Sequence, residues 1–242
     1  LYLVATAAMD HFVKLNALDT IILSSQKKDS WYLPEARQAM EEGKIAYAGK
    51  YSAPDYETIL ASGCDLVIEN AMIYHAPEVL EKLRGLGLPV LVELSSYESH
   101  PLGRMEWIKL FGALVNKEEE ATAYFDSMME SLTPVLNQAP TGKTVSFFYI
   151  TTSGGINVRR SSDYVSSAIR LAGCENIVFG EDQADLGTST MTVQMEAFYE
   201  GARDADILIY NSIVEGELDS LDALLAKMPT LKDFKAVKEG NV

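Results

Sequence analysis

The chain has 242 residues, 48% hydrophobic and 23% charged, with 16 Gly and 8 Pro, a globular balance with room for one large domain or two lobes of roughly 100 residues each. A formal net charge of −15 excludes nucleic acid as a natural partner, because phosphate binding asks for a basic surface. No run reaches the roughly 18–20 uninterrupted apolar residues that span a bilayer.

The opening run Leu1–Ala5 has neither a basic leader nor a small-residue cleavage site, so it reads as a first strand, with any export signal lying outside this sequence. Short β-rich runs then alternate with amphipathic segments of helical length, the pattern of parallel α/β units. Predicted strands are Leu1–Ala5, Thr20–Leu23, Asp65–Glu69, Pro89–Glu93, Val145–Ile150 and Asp206–Tyr210. Several are near-continuous Val/Ile/Leu runs, as expected where helices cover both faces of a sheet. Predicted helices are Met9–Asn16, Leu33–Glu41, Asp55–Ala61, Pro77–Leu86, Asp163–Ala172, Val193–Gly201 and Leu218–Lys227.

The rhythm breaks between Gly103 and Gln138, where only helical periodicity is found. Met105, Trp107, Ile108, Phe111, Leu114 and Val115 form one apolar stripe; Ala121, Tyr124, Phe125, Met128, Met129, Leu132, Val135 and Leu136 form a second. Asn116 is placed as the N-cap of the second helix, and Pro134 as the residue that kinks or ends it. The expected organisation is an α/β lobe over residues 1–100, a helical connector over 101–140 and a second α/β lobe over 141–242. The fold class is thus α/β, with two Rossmann-like lobes built on central parallel sheets and joined by one long α-helix.

A faint repeat accompanies this division. Tyr56-Glu57-Thr-Ile-Leu leads into Asp65-Leu-Val-Ile-Glu-Asn70, and Met195-Glu196-Ala-Phe-Tyr leads into Asp206-Ile-Leu-Ile-Tyr-Asn211. Helix-then-strand units recur in any α/β protein, so duplication and coincidence both account for it; one copy per lobe favours duplication.

Searches for catalytic motifs return no phosphate loop, dinucleotide fingerprint or nucleophile elbow. Cys64 and Cys174 read as small buried thiols, and no Cys-x-x-Cys pair supports structural zinc. His11, His75 and His100 form no metal-ligand pair at helical spacing, and His11 suits a structural place. No resident cofactor is expected, and the chain is read as a non-enzyme.

Ligands of parallel α/β sheets bind outside the carboxyl ends of the strands. The segments there are rich in aromatic and polar residues: Trp31 and Tyr32, Lys50 and Tyr51, Met72 and Tyr74, Tyr97 and His100, then Asn157, Arg159, Arg160 and Tyr164. Rigid aromatic surface with polar tips, joined to Arg and Lys that pair with carboxylates, suits a bulky anionic ligand better than a bare ion or a sugar. Several of these aromatics equally suit the lobe cores.

The pattern Tyr56-Glu57-Thr-Ile-Leu with Asp65-Leu-Val-Ile, the later Gly87-Leu-Pro-Val-Leu-Val, and the run from Gly103 to Ala121 resemble the iron-chelate and cobalamin family of periplasmic-type binding proteins. Ala172-Gly173, Asn176-Ile177, Gln194-Met-Glu196 and Val237-Lys-Glu-Gly-Asn-Val242 are similar to that family's second half, so the likeness covers nearly the whole chain. The resemblance implies two lobes on one long helix, a shallow ligand cleft between them and modest hinge motion. It implies the extracytoplasmic component of an ABC importer, periplasmic or lipid-anchored on the outer face of the cytoplasmic membrane. Such a protein acts as a monomer that captures a metal chelate and delivers it to a permease dimer with its ATPase. The leading ligand is an iron(III) chelate, siderophore or haem, with cobalamin next, so any iron or cobalt arrives with the ligand. Arg159 and Arg160 then face ligand anions, while Trp31, Tyr51 and Tyr74 cover the organic skeleton. Glu57 and Glu196 carry over as the acids that dock on the permease; as plain helix N-terminal acids they need no such role. Tyr97, His100 and Arg104, in a bridge more polar than the family's usual one, are added as ligand candidates. The competing readings are an α/β enzyme with unrecognised catalytic groups and a sensory or adhesive module that has kept the fold.

Overall fold

The computed structural model describes residues 1–180, 189–212, 216 and 218–242. The chain divides into two compact units, one of Leu1–Glu98 with Leu102–Met129, the other of Ser99–Pro101 with Glu130–Val242.

The first unit runs β1 (Tyr2–Leu3), α1 (Met9–Lys14), β2 (Leu23–Ser24), α2 (Pro34–Glu41), β3 (Ala46–Tyr47), the hairpin β4 (Gly49–Lys50) and β5 (Ala53–Pro54), α3 (Tyr56–Ala61), β6 (Val67–Asn70), α4 (Pro77–Gly85) and β7 (Val90–Glu93). Its main sheet is parallel throughout, in the order β3-β2-β1-β6-β7. The strands are short, but the ladder continues beyond them: Val4 donates to the Ile68 carbonyl at 2.8 Å and Ala48 to that of Ser24 at 3.0 Å. Alternation along β1 explains why both faces are apolar. Tyr2 and Val4 join Ile59, Val67, Ile73, Val79 and Leu83 on one face. Leu3 and Ala5 join Phe12, Trp31, Ala36, Ile68 and Phe111 on the other.

Two helices follow, α5 (Pro101–Leu114) and α6 (Glu118–Leu136), and α6 crosses from the first unit to the second after Met129. Asn116 does not cap α6. With φ of 55° it is the left-handed residue that ends α5, and the Lys117 amide reaches back to the Gly112 carbonyl at 2.8 Å. This closure satisfies an orphan carbonyl at the helix end, a task a short amide side chain tolerates when glycine is absent. Gly112 serves the same joint: a methyl group added there would stand 2.5 Å from the Ala121 Cβ and 2.8 Å from the Lys117 carbonyl oxygen. Pro134 lies inside α6, which ends two residues later at Leu136.

The second unit continues with β8 (Thr144–Ile150), β9 (Ile156–Arg159), α7 (Tyr164–Leu171), β10 (Glu175–Asn176), β11 (Thr190–Val193), α8 (Met195–Ala202), β12 (Ile207–Tyr210), α9 (Leu221–Lys227) and α10 (Lys235–Glu239). Parallel pairing holds for β12 and β10 against β8. The sheet also carries two antiparallel strands that are not among the predicted ones, β9 against β8 and β11 against β9. Its core is an aromatic stack. Phe198 lies 4.7 Å from Phe148, 5.6 Å from Phe179 and 5.7 Å from Phe234, ring centre to ring centre, and all four rings are buried.

Candidate ligand-binding site

Parallel order brings the carboxyl ends of β1, β2, β3 and β6 to one edge of the first sheet, and a recess of about 400 Å³ opens there. Its lining comes from the residues that leave those strands: Val4 after β1; Ser25, Gln26, Lys27 and Ser30 after β2; Tyr47, Lys50 and Tyr51 around β3 and β4; Asn70 at the end of β6. Each segment is tied down by its neighbours. Ser25 donates its amide to the Leu3 carbonyl at 3.1 Å, and the Gln26 amide donates to Ser24 Oγ at 3.0 Å. The Tyr2 hydroxyl donates to the Gly49 carbonyl at 3.0 Å, which anchors the β3–β4 turn from below. Gly49 itself has φ of 88°, and a side chain there would strike Ala53 and Pro54 across the hairpin, so the turn carrying Lys50 requires glycine. Asn70 Oδ1 accepts from the Met72 amide at 2.9 Å and starts the short 3-10 turn that bears Met72 and Tyr74.

The candidates named from the sequence separate by burial. Lys50 and Tyr51 line the recess. Tyr32, Tyr74 and Tyr97 are 88%, 57% and 68% exposed, and Met72 is also exposed, on segments that follow strands. Trp31 is a correction. Its ring is 5% exposed and belongs to the core around Phe12 and Ile21, while Arg37 Nη2 holds its carbonyl at 2.6 Å. Its place just before α2 turns it inward, so it does not cover a ligand as expected. His100 is exposed and Arg104 half-buried, and each is engaged by other groups of the protein.

Sequence reasoning missed Ser25, Gln26 and Lys27. The predicted strand Thr20–Leu23 overlaps β2, which is Leu23–Ser24, but the candidates taken from the following loop are its aromatics Trp31 and Tyr32 rather than the residues that leave the strand directly. Ile21 is buried and apolar but follows a 3-10 turn over Leu18–Thr20, which delays the strand.

One residue before Asn70, β6 holds Glu69 fully buried, with no hydrogen-bond partner for either carboxylate oxygen among the described residues. Burial alone pushes its carboxyl up to about 8, which favours the neutral form at pH 7. The Tyr2 phenol beside it is also raised, first by its own burial and then by the Glu69 charge.

In the second unit, Arg159 ends β9 and Asp163 caps α7. Asp163 Oδ1 accepts from the Val165 amide at 2.9 Å and Oδ2 lies 3.5 Å from Arg159 Nη1, with the two side chains 3% and 16% exposed. The guanidinium sits 5.2 Å from the Phe147 ring centre and 6.0 Å from that of Tyr164. Much of the charge expected to face ligand is therefore met inside the unit. Asn157 is buried, donates to Thr192 Oγ1 at 3.4 Å and leaves Oδ1 without a partner among the described residues. Arg160 and Tyr164 are half-buried and already engaged. Glu57 and Glu196 are both exposed in the first turns of α3 and α8, the matching positions of the internal repeat.

A model of the family described as periplasmic binding protein matches residues 10–242. An uncharacterized lipoprotein of Methanocaldococcus jannaschii is 28% identical over 218 residues, 89% of this chain and 50% of that protein. The chain spans about half the length of the curated relatives it matches. Among solved structures, a periplasmic heme binding protein of Vibrio cholerae superposes with a TM-score of 0.78 at 19% identity, covering 99% of this chain and 86% of that one. An ABC-type Fe3+-hydroxamate transport protein of Saccharomonospora viridis gives 0.68 at 19% identity, covering 99% and 82%. These structural likenesses establish the two-lobed α/β fold.

Proposed function

Because this chain belongs to the periplasmic binding protein family, we propose that it is the extracytoplasmic substrate-binding component of an ABC importer, and that its substrate is an iron(III) chelate. The single observation that carries the reading is the recess at the carboxyl edge of the parallel sheet, where lysine, tyrosine and amide side chains converge on a volume of about 400 Å³. Pockets of this kind are largely preformed and use a few polar groups to orient an otherwise bulky guest. The exposed rings of Tyr32, Tyr74 and Tyr97 add amphipathic surface suited to the organic part of a siderophore or a haem. The lipoprotein relative supports a chain held on the outer face of the cytoplasmic membrane, and the haem and hydroxamate neighbours support a chelated metal as cargo. Capture requires no bond to be made or broken in the ligand.

Delivery follows through a permease dimer powered by its ATPase, which the protein meets as a monomer. Glu57 and Glu196 are the docking acids: both are exposed and both stand on the first turn of a helix, where they project charge without cost to the core. Spectral titration of the purified protein with haemin, a ferric trihydroxamate, a ferric tricatecholate and cyanocobalamin tests the capture step. Binding of an iron chelate below about 1 μM, a free energy near −8 kcal/mol, is expected. Saturation by cobalamin alone would move the assignment to that ligand, and binding of none of the four would refute it. For delivery, the double charge reversal Glu57→Lys with Glu196→Lys should abolish chelate uptake into vesicles bearing the cognate permease while the chelate still binds; undiminished uptake would remove the docking role.

A further inference from the structure

The recess of the first unit is positively charged on a strongly acidic protein. Lys27 and Lys50 both line it, and no carboxylate does so among the described residues. Neither lysine forms an ion pair among the described residues, although Lys14, Lys28, Lys44, Lys109 and Lys117 of the same unit each stand within 4.0 Å of a carboxylate. In a chain of net charge −15, where acids outnumber bases 35 to 20, two unpaired ammonium groups meeting in one recess are an exception. Other hollows of the same unit follow the acidic trend. One of about 280 Å³ is lined by Asp19, Glu35 and Glu42 with Lys44, and another by Glu118, Glu119 and Asp126.

The groups around the two lysines favour an outside anion over an internal partner. Lys27 Nζ stands 5.8 Å from the centre of the Tyr47 ring, whose face supports a cation without neutralising it. The Ser30 amide donates to the Lys27 carbonyl at 2.9 Å, which fixes the backbone from which that side chain extends. Lys50 rides on the hairpin that Gly49 and the Tyr2 hydroxyl hold in place. Asn70, which also lines the recess, is preceded by the buried Glu69, whose burial favours the protonated carboxyl and so limits the negative charge it sets against the two lysines.

We propose that this recess selects metal chelates that carry negative charge, with Lys27 and Lys50 as the residues that set the preference. The inference rests on the reading of the recess as a chelate site and adds to it the charge class of the ligand and a residue, Lys27, that the sequence did not single out. A compact ammonium with three donors binds carboxylate and phenolate oxygens alike, so haem propionates and catecholate oxygens are both within its chemistry. A neutral trihydroxamate chelate offers neither.

The test is equilibrium titration, followed by quenching of intrinsic fluorescence, with haemin and a ferric tricatecholate as anionic probes and a ferric trihydroxamate as the neutral probe. The wild-type protein should bind at least one anionic probe about tenfold or more tighter than the neutral one, and the better of the two separates propionate from phenolate recognition. Lys27→Gln and Lys50→Gln should each weaken the anionic probe by about tenfold while changing the neutral probe by less than about twofold. Raising NaCl from about 50 to about 500 mM should weaken anionic binding to wild type, and the double variant should lose most of that salt dependence. Lys44→Gln, whose lysine pairs with Glu42 outside the recess, serves as the control with unchanged affinity for every probe. Equal or tighter binding of the neutral probe, or full anionic affinity in the double variant, would overturn the proposal and leave the chelate site standing. Failure of all probes to bind would remove the chelate site and this proposal together.

Discussion

The two units contain charged sites of opposite character. Around the recess of the first, Lys27 and Lys50 have no ion-pair partner among the described residues, and Glu69 is buried with its oxygens unsatisfied. In the second, Arg159 is matched to Asp163, and Lys235 reaches Asp206 at 2.6 Å. The Lys235 ammonium, with the Thr144 amide and hydroxyl, holds the Asp206 carboxyl down at about 2, the reverse of Glu69 at about 8. Unsatisfied polar groups cost stability and persist where something else rewards them. Paired groups instead fix a fold: Asp163 joins the end of β9 to the start of α7, and Asp206 joins β12 to β8 and to α10. A ligand site is therefore to be sought first where unpaired charges of one sign line the same hollow, as Lys27 and Lys50 of the first unit do.

The sharpest way to break this contrast is to remove a carboxylate the second unit depends on. Asp163→Ala strands a mostly buried guanidinium and takes the cap from α7, so a loss of about 2–4 kcal/mol is expected in urea unfolding. Adding Arg159→Met should return part of it. A loss below about 0.5 kcal/mol would show the pair to be no more than a surface contact.

The next largest effect belongs to Glu69 and runs the other way. An unfolded chain releases this proton near pH 4.5, whereas the folded protein keeps it to about 8. Between those values the folded state binds more protons, so its stability falls as pH rises through that window and levels off above it. Glu69→Gln removes the dependence. The variant should match wild type near pH 4.5 and exceed it by on the order of 2–3 kcal/mol at pH 7. Parallel stability–pH curves for the two proteins would mean that Glu69 has a partner or is hydrated.

The smallest expected change completes the comparison. Lys27→Gln should leave the thermal midpoint within the equivalent of about 0.5 kcal/mol of wild type, since only a long contact with the Tyr47 ring and no ion pair is lost. A larger fall would place Lys27 among the structural charges, beside Arg159.

Much of this architecture was legible in the sequence because helices and core strands announce themselves by period. The apolar runs at Val67-Ile68, Val90-Leu91-Val92 and Ile207-Leu208-Ile209 fall in observed strands, and the helix starts at Pro34 and Pro77 are marked by a residue whose missing N–H suits the first turn. Strands that depend on pairing escaped notice. β9 and β11 are four residues each, carry Asn157, Arg159, Thr190 and Thr192, and gain their order from each other and from β8. Site residues split along the same line. Lys50 and Tyr51 line the recess and stood out because aromatics and bases after strands are conspicuous, but inward or outward orientation is a tertiary property, and Trp31 is core. Lys27 was missed because the stretch that leaves β2 directly carries no aromatic residue, whereas Trp31 and Tyr32 further along the same loop are conspicuous. Asn116 misled for a different reason, since asparagine serves both helix starts and left-handed helix ends.

The joint between α5 and α6 has a mechanical consequence. With Gly112 pressed on Ala121 and the Lys117 amide latched to the Gly112 carbonyl, there is no slack at the elbow, and the first turns of α6 cannot tilt without dragging α5 along. Compliance in α6 is concentrated at its far end instead, where Pro134 offers no N–H to the carbonyl one turn back and a rung of the helical ladder is missing. The rod is thus stiff at its root and springy near its tip.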